Sequence, residues 1–227
     1  MKALKLWVLA ALAFSCAALS AQEKIYRPSG FSGVDISTKI KARLIASNEN
    51  KVVVSGDKID NIVVKEDKGR LVIRFKSTKG IGADPAPATI YYKSTLTYIG
   101  ASGDSEIEAE SVLSGGNIRI DAGKGAFVKA SVTVDTLRAS IAAGGQIQAR
   151  GDVKALDVSI KTGGQFNGYE LMADDAEVNI TAGGTAYVYA TKNIKARVGM
   201  GGKVYCKGPA KVDGRTTMGG TVIMAED

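Results

Sequence analysis

The sequence predicts an all-β protein, a single-stranded right-handed parallel β-helix of the pectin-lyase type, and three observations carry that expectation. Glycine pairs recur through the second half of the chain, beginning at Gly144, Gly163, Gly183, Gly201 and Gly219. Between the pairs, apolar and polar residues alternate. No copy carries a helical stripe. A repeat of about 20 residues with glycine punctuation belongs to a stacked repeat architecture, and a period of two means strands with one buried face.

Each copy follows the same scheme. In the first, Leu137, Ala139, Ile141, Ala143, Gly145, Ile147 and Ala149 share one parity, and Arg138, Ser140, Gln146, Gln148 and Arg150 the other. Later copies bring Leu156, Val158, Ile160 and Phe166, then Ala176, Val178, Ile180 and Val188, then Ile194, Ala196, Val198, Met200 and Val204 to the inward side. Weaker copies precede them around Gly103 and Gly123. At about 3.3 Å per residue, a coil this short has to be a tight loop of short strands, each stacking on its equivalent. The glycine pair is expected at a bend, where the missing Cβ permits positive φ and close approach of coils. A left-handed hexapeptide helix requires a rigid period and an aliphatic residue at every sixth position. The drifting period here and the general right-handed crossover preference favour the right-handed form.

Met1 to Ala21 reads as a secretory signal peptide. Lys2 and Lys5 open it, Leu6 to Leu19 is apolar, and Ala18, Ser20 and Ala21 are the small residues before a cut ahead of Gln22. The run is too short for a spanning helix. Ala13-Phe14-Ser15-Cys16 also loosely matches a lipoprotein box, which leaves lipid attachment at Cys16 as the alternative. Cleavage after Ala21 removes two lysines and no acid. Of the full chain's 30 basic and 23 acidic residues, 28 and 23 remain, so net charge falls from +7 to +5. This mild, dispersed charge fits a solubilising surface and not nucleic-acid binding. Cys206 becomes the single thiol, so no internal disulfide is expected, and its inward parity predicts a small buried apolar side chain.

The mature chain, 22–227, is expected to form one domain. Residues 22–97 are β-rich but irregular, with runs at Lys51–Ser55, Ile59–Lys65 and Arg70–Lys76. They are expected to form wider first coils or a small sheet that caps the solenoid, because an uncovered end coil exposes backbone and core. Ser77 to Ala88, with two glycines and two prolines, reads as the one clear loop. Regular coils then occupy 98–227.

Aligning the coils on their glycines sorts the outward residues into columns. Six residues before each pair stand Arg138, Asp157, Glu177, Lys195 and Asp213, whose signs oppose at three of four steps. Four after the first glycine stand Phe127, Gln148, Asn167, Tyr187, Tyr205 and Ile223. Six after stand Lys129, Arg150, Tyr169, Tyr189 and Lys207. One face thus gathers Tyr169, Tyr187, Tyr189 and Tyr205 beside Lys129, Arg150 and Lys207. Aromatics among polar groups on a rigid sheet suit sugar stacking or a protein interface. Outward tyrosine is also simply a good strand former, and the face could be covered by the N-terminal segment.

The chemistry that is missing narrows the function. The chain has no histidine, which removes Ser-His triads and histidine metal sites. The glycine pairs precede no Lys-Ser or Lys-Thr and lack the aspartates of calcium-binding repeats. No cofactor or metal is expected. Paired carboxylates occur at Glu106, Glu108 and Glu110 on one strand face, and at Asp174 and Asp175, read as an inter-coil loop. A polysaccharide lyase would need such acids clustered on calcium with a basic residue nearby. A solvated strand is the simpler reading.

The stretches GFSGVDISTKIKARLIASNENKVVVSGD, GRLVIRF and TYIGASGDSEIEA, followed by coils that turn at a small residue and a glycine pair, resemble the head GIN domain family of putative auto-transporter adhesins of bacterial cell envelopes, from about Gly30 onward. The G-I-N tripeptide itself is absent; Gly116-Asn117-Ile118 and Gly145-Gln146-Ile147 come nearest. No membrane barrel is expected after Asp227. The resemblance implies a right-handed β-helix without catalytic residues and a role in adhesion. The expectation is an exported, non-enzymatic envelope module whose partner is a surface glycan or a host or envelope protein. A carbohydrate-active enzyme on this scaffold and a structural homo-oligomer are the alternatives.

Overall fold

A repeating corner sets the architecture. The structure, a computed structural model, describes residues 22–56, 59–76 and 84–225. The expected signal peptide, with Cys16, lies outside the described residues. Among those described there is no α-helix, only a 3-10 turn at Ile59–Asn61, and strands join into one continuous parallel solenoid.

The regular coils are built from β10 (Leu113–Gly123), β11 (Phe127–Ala142), β12 (Gln146–Thr162), β13 (Gln165–Ala182), β14 (Thr185–Val198), β15 (Lys203–Lys207), β16 (Lys211–Thr216) and β17 (Thr221–Met224). Neighbours pair parallel and in register. Val128 pairs with Ile147, Phe166 with Ala186 and Val188 with Cys206, so the coil is longest around β13 and shortest beyond β14. Register shifts after Gln148 on β12 and after Gly168 on β13 absorb the drift. Inward residues stack into columns. Val128, Ile147, Phe166, Ala186 and Val204 form one, with Val222 partly buried at its end. Val178, Ile180 and Val198 are 0%, 3% and 2% exposed. Cys206 is fully buried as its parity requires, and burial pushes its thiol up to about 11.

The two glycines of each pair do different work. The first, at Gly144, Gly183, Gly201 and Gly219, has φ between 64° and 78°, and a Cβ there would meet nothing. The second packs on the coil before it: a Cβ on Gly145 would collide with the Ala122 carbonyl, and one on Gly220 with the Val198 carbonyl. The corner therefore breaks the alternation expected to run through it. Ala143 (φ 48°) and Met200 (φ 21°), expected inward, turn out to solvent, Met200 at 51% exposure, because left-handed backbone swings Cβ off the sheet normal.

The N-terminal segment is both coil and cap. Its strands are β1 (Glu23–Tyr26), β2 (Gly33–Ser37), β3 (Ile40–Ala46), β4 (Lys51–Ser55), β5 (Ile62–Asp67), β6 (Arg70–Phe75), β7 (Ala86–Tyr92), β8 (Tyr98–Ser102) and β9 (Glu106–Ala109). The layer β2–β3 lies between β8–β9 and β6–β7, all pairings parallel. The chain thus lays one coil, passes outward to build the end layer, and returns beneath its own start. Antiparallel strands finish the end layer, β5 on β6, β4 on β7 and β1 on β4. Antiparallel pairing stops further parallel stacking and covers the edge.

Two local expectations change. Residues 77–83 of the expected loop lie outside the described residues, but Ala86–Ala88 already belong to β7. Pro87 is tolerated there. The Ala86 N–H donates to Lys39 of the β2–β3 corner, so alternation turns position 87 toward β4, whose ladder begins only at Ala88. Asp174 and Asp175 lie within β13 and not in a loop, because β13 runs straight through the bend.

Candidate functional site: a tyrosine ladder on the outer face

Tyrosines at outward parity on successive coils have to meet, because parallel in-register pairing places equivalent side chains about 5 Å apart. Tyr187 and Tyr205 are register partners on β14 and β15, and their rings stack at 5.0 Å and 14°. Tyr169, from the bulged stretch of β13, meets Tyr187 edge to face at 5.1 Å and 68°. The Lys207 ammonium lies 5.3 Å from the Tyr169 ring centre. Burial raises the Tyr169 phenol above its ordinary range, so it stays protonated.

Stacking alters what these rings offer. Tyr187 and Tyr205 turn one face of each ring to the other. One flat face of each of these two rings is thus taken up within the ladder. Tyr189 stands in register with Lys207 but joins no ring pair among the described residues, its ring lying close over Gly208.

The three expected cations separate. The corner before Phe127 is centred on Gly125, not Gly123, so Phe127 registers with Gln146 and Lys129 with Gln148. Lys129 therefore belongs to the column of Asn167, Tyr187 and Tyr205, three coils from Tyr187, and its ammonium is held at 2.8 Å by Glu108. Arg150 donates to the Ser131 hydroxyl at 2.6 Å, away from the rings. Tyr169 also leaves its expected column, since the bulge pairs Tyr189 with Met172 instead. Of the seven residues grouped from the sequence, Tyr169, Tyr187, Tyr205 and Lys207 come together. The N-terminal strands pair at the opposite end of the solenoid and none pairs with β13, β14 or β15.

The carboxylates are committed to neighbours. Lys41 holds Glu106 at 3.1 Å, Lys129 holds Glu108 and Arg43 holds Glu110 at 3.1 Å. No cluster suited to a metal ion occurs among the described residues. The column Arg138, Asp157, Glu177, Lys195 and Asp213 is in register as expected. Its ion pairs are not, because Glu177 takes the diagonal Arg197, whose hydrogen bond lowers the Glu177 carboxyl below its ordinary range. A parallel column escaped the sequence reading. Asp135 pairs with Lys154 at 2.7 Å and Asp174 with Lys192 at 3.1 Å, forming a neutralised ridge. Its signal in the sequence is opposite charges about one repeat apart, at positions that fall outside the strict strand alternation.

Among solved structures, the chain resembles a putative adhesin from Bacteroides fragilis with a TM-score of 0.80 and 19% identity, covering 91% of this chain and 97% of that one. A putative adhesin from Parabacteroides merdae matches at 0.71 and 22%, covering 91% and 96%. A putative lipid binding protein from Parabacteroides distasonis matches at 0.69 and 18%, covering 91% and 97%. These likenesses establish a shared fold. No curated protein matches at a significant level. The family model for the putative auto-transporter adhesin, head GIN domain, matches residues 30–210, and the chain belongs to that family.

Proposed function

We propose that this protein is an exported, non-enzymatic binding module of the cell envelope, and that the ladder of Tyr169, Tyr187 and Tyr205 with Lys207 is its recognition face. The observation that carries the proposal is the ladder itself. Three rings, half-buried by one another, stand on a rigid parallel sheet with a cation beside them and no N-terminal strand paired over them. Such rings are pre-organised and lose little entropy on binding. The partner is a surface glycan or a host or envelope protein, met through phenol hydroxyls and the Lys207 ammonium. Family membership and the adhesin names of similar structures support adhesion as the role. Export rests on the sequence of Met1 to Ala21. Engagement of Glu106, Glu108 and Glu110 by cations speaks against a calcium-assisted lyase site.

The test is a glycan and matrix-protein binding screen with two double variants. Tyr187→Ala with Tyr205→Ala should weaken binding by about 2 kcal/mol, some thirtyfold. Tyr187→Phe with Tyr205→Phe keeps the stack and removes the hydroxyls, so it should lose binding at an unchanged melting temperature. Full binding by the Phe variant, with the Ala variant changed only in stability, would make the ladder structural.

A further inference from the structure

A groove of about 660 Å³ runs along the solenoid axis across five coils, on other columns than the tyrosine ladder, and five of its seven charged residues form no ion pair among the described residues. Two outward columns wall it. One carries Arg138, Asp157, Glu177, Lys195 and Asp213; the other runs from Thr136 through Asp175 and Asn193 to Lys211. The adjoining ridge of Asp135, Lys154, Asp174 and Lys192 neutralises itself in pairs. The groove does not. Glu177 is taken by Arg197, and Asp213 approaches Arg215 at 4.0 Å, both outside the groove. Arg138, Asp157, Asp175, Lys195 and Lys211 form no ion pair among the described residues, although opposite signs face each other on adjacent coils. Among these five the sign order along the axis is therefore positive at Arg138, negative at Asp157 and Asp175, and positive again at Lys195 and Lys211, with Asp213 beside Lys211 on the last coil.

We infer that this groove binds an extended peptide segment of acid–x–base–x–acid pattern, lying along the solenoid axis and across the coils. Spacing selects a peptide. With coils about 4.8 Å apart, the centre of the acidic pair lies about 7 Å from the Arg138 coil and about 7 Å from the Lys195 coil. An extended strand shows same-face side chains every second residue, also about 7 Å apart. A base over Asp157 and Asp175 then places its two flanking acids on Arg138 and Lys195. A polyanion meets repulsion at the centre, and a polycation meets it at both ends, so the order of charges and not net charge decides the occupant. The volume lies within the range of built ligand clefts. Asn193 already donates to Asp175 at 2.8 Å, holding that carboxylate in place.

The experiment uses two nine-residue peptides of identical composition and net charge, GSESKSESG and GSKSESESG, titrated against the protein at low salt. The acid–base–acid peptide should bind at least about fivefold tighter, and the difference should vanish near 0.5 M salt, where screening shortens to a few ångströms. Arg138→Glu, Asp157→Lys and Lys195→Glu together should invert the preference. All three are outward side chains, and circular dichroism checks the fold. Asp157→Asn alone, a near-isosteric change, should weaken the preferred peptide about threefold. Tyr187→Ala should leave both peptides unaffected, which separates this site from the tyrosine ladder. Equal affinity for both peptides, no binding of either at millimolar concentration, or binding only of an acidic polysaccharide would overturn the inference.

Discussion

Tyr187 and Tyr205 occupy equivalent positions on successive coils, and their rings stack at 5.0 Å with only 14° between planes. The contact is made by the repeat, since any aromatic placed twice in one outward column faces its own copy. Each ring also fixes its strand neighbour. Tyr205→Ala should destabilise the protein by roughly 1 kcal/mol beyond lost burial, a fall of about 2–4 °C in melting temperature for a chain of this size. Thermal unfolding checks it, with Tyr189→Ala, which stacks on no ring, as the milder comparison.

Cys206 is fully buried, and desolvation pushes its thiol up to about 11. Both access and thiolate fraction are suppressed at neutral pH. A bulky maleimide should label the native protein very slowly and the denatured protein within minutes. Rapid native labelling would place the thiol outside the core.

The division of labour in the glycine pairs predicts unequal mutants. Gly183→Asn keeps a residue that accepts the left-handed region, where nothing crowds a Cβ, and should cost about 1 kcal/mol. Gly145→Ala drives a methyl group into the Ala122 carbonyl and forces two coils apart. Its loss in melting temperature should be at least twice that of Gly183→Asn.

Asp35 sits on β2 beside Tyr98, Arg70 and Asp121. Burial raises its carboxyl above the ordinary range, with Asp121 adding to the rise and Arg70 opposing it. A carboxyl raised in the folded state is held least unfavourably when protonated. Its contribution is complete below the unfolded carboxylate pKa and is lost as pH rises through the folded value. Asp35→Asn removes that loss, so its melting temperature relative to the wild type should improve between pH 3 and pH 7. An unchanged difference across that range would show that Arg70 cancels the burial. Tyr98, pushed up to about 12 by the same burial, stays neutral throughout.

The regular coils were legible because every property that defines them repeats. Leu137, Leu156, Ala176 and Ile194 announce one inward column at the same offset from a glycine pair. The first coil was not legible. Its corner is Thr38-Lys39, both at positive φ (64° and 53°), where side chains take the conformation that glycine takes elsewhere. The Thr38 and Lys39 amides tie that corner to Ser102 and Gly103, a partnership so distant in sequence that no local pattern reveals it. Lys129 leaves its expected column for a related reason: Gly125, and not Gly123, occupies the place in the corner that Gly144 takes one coil on.

The sequence by itself determined the solenoid, its inward columns and the outward tyrosines, because strand alternation nested within a glycine-marked repeat admits one way to bury the apolar face. Tertiary structure decided everything that depends on how one coil leans on another. It turned the faces of Tyr187 and Tyr205 together, gave Glu177 to Arg197 on the diagonal, and left Arg138 and Lys195 unpaired along a groove. The physical reason is that strand parity fixes which face a side chain leaves, whereas its rotamer and partner follow from bulges and register shifts one coil away.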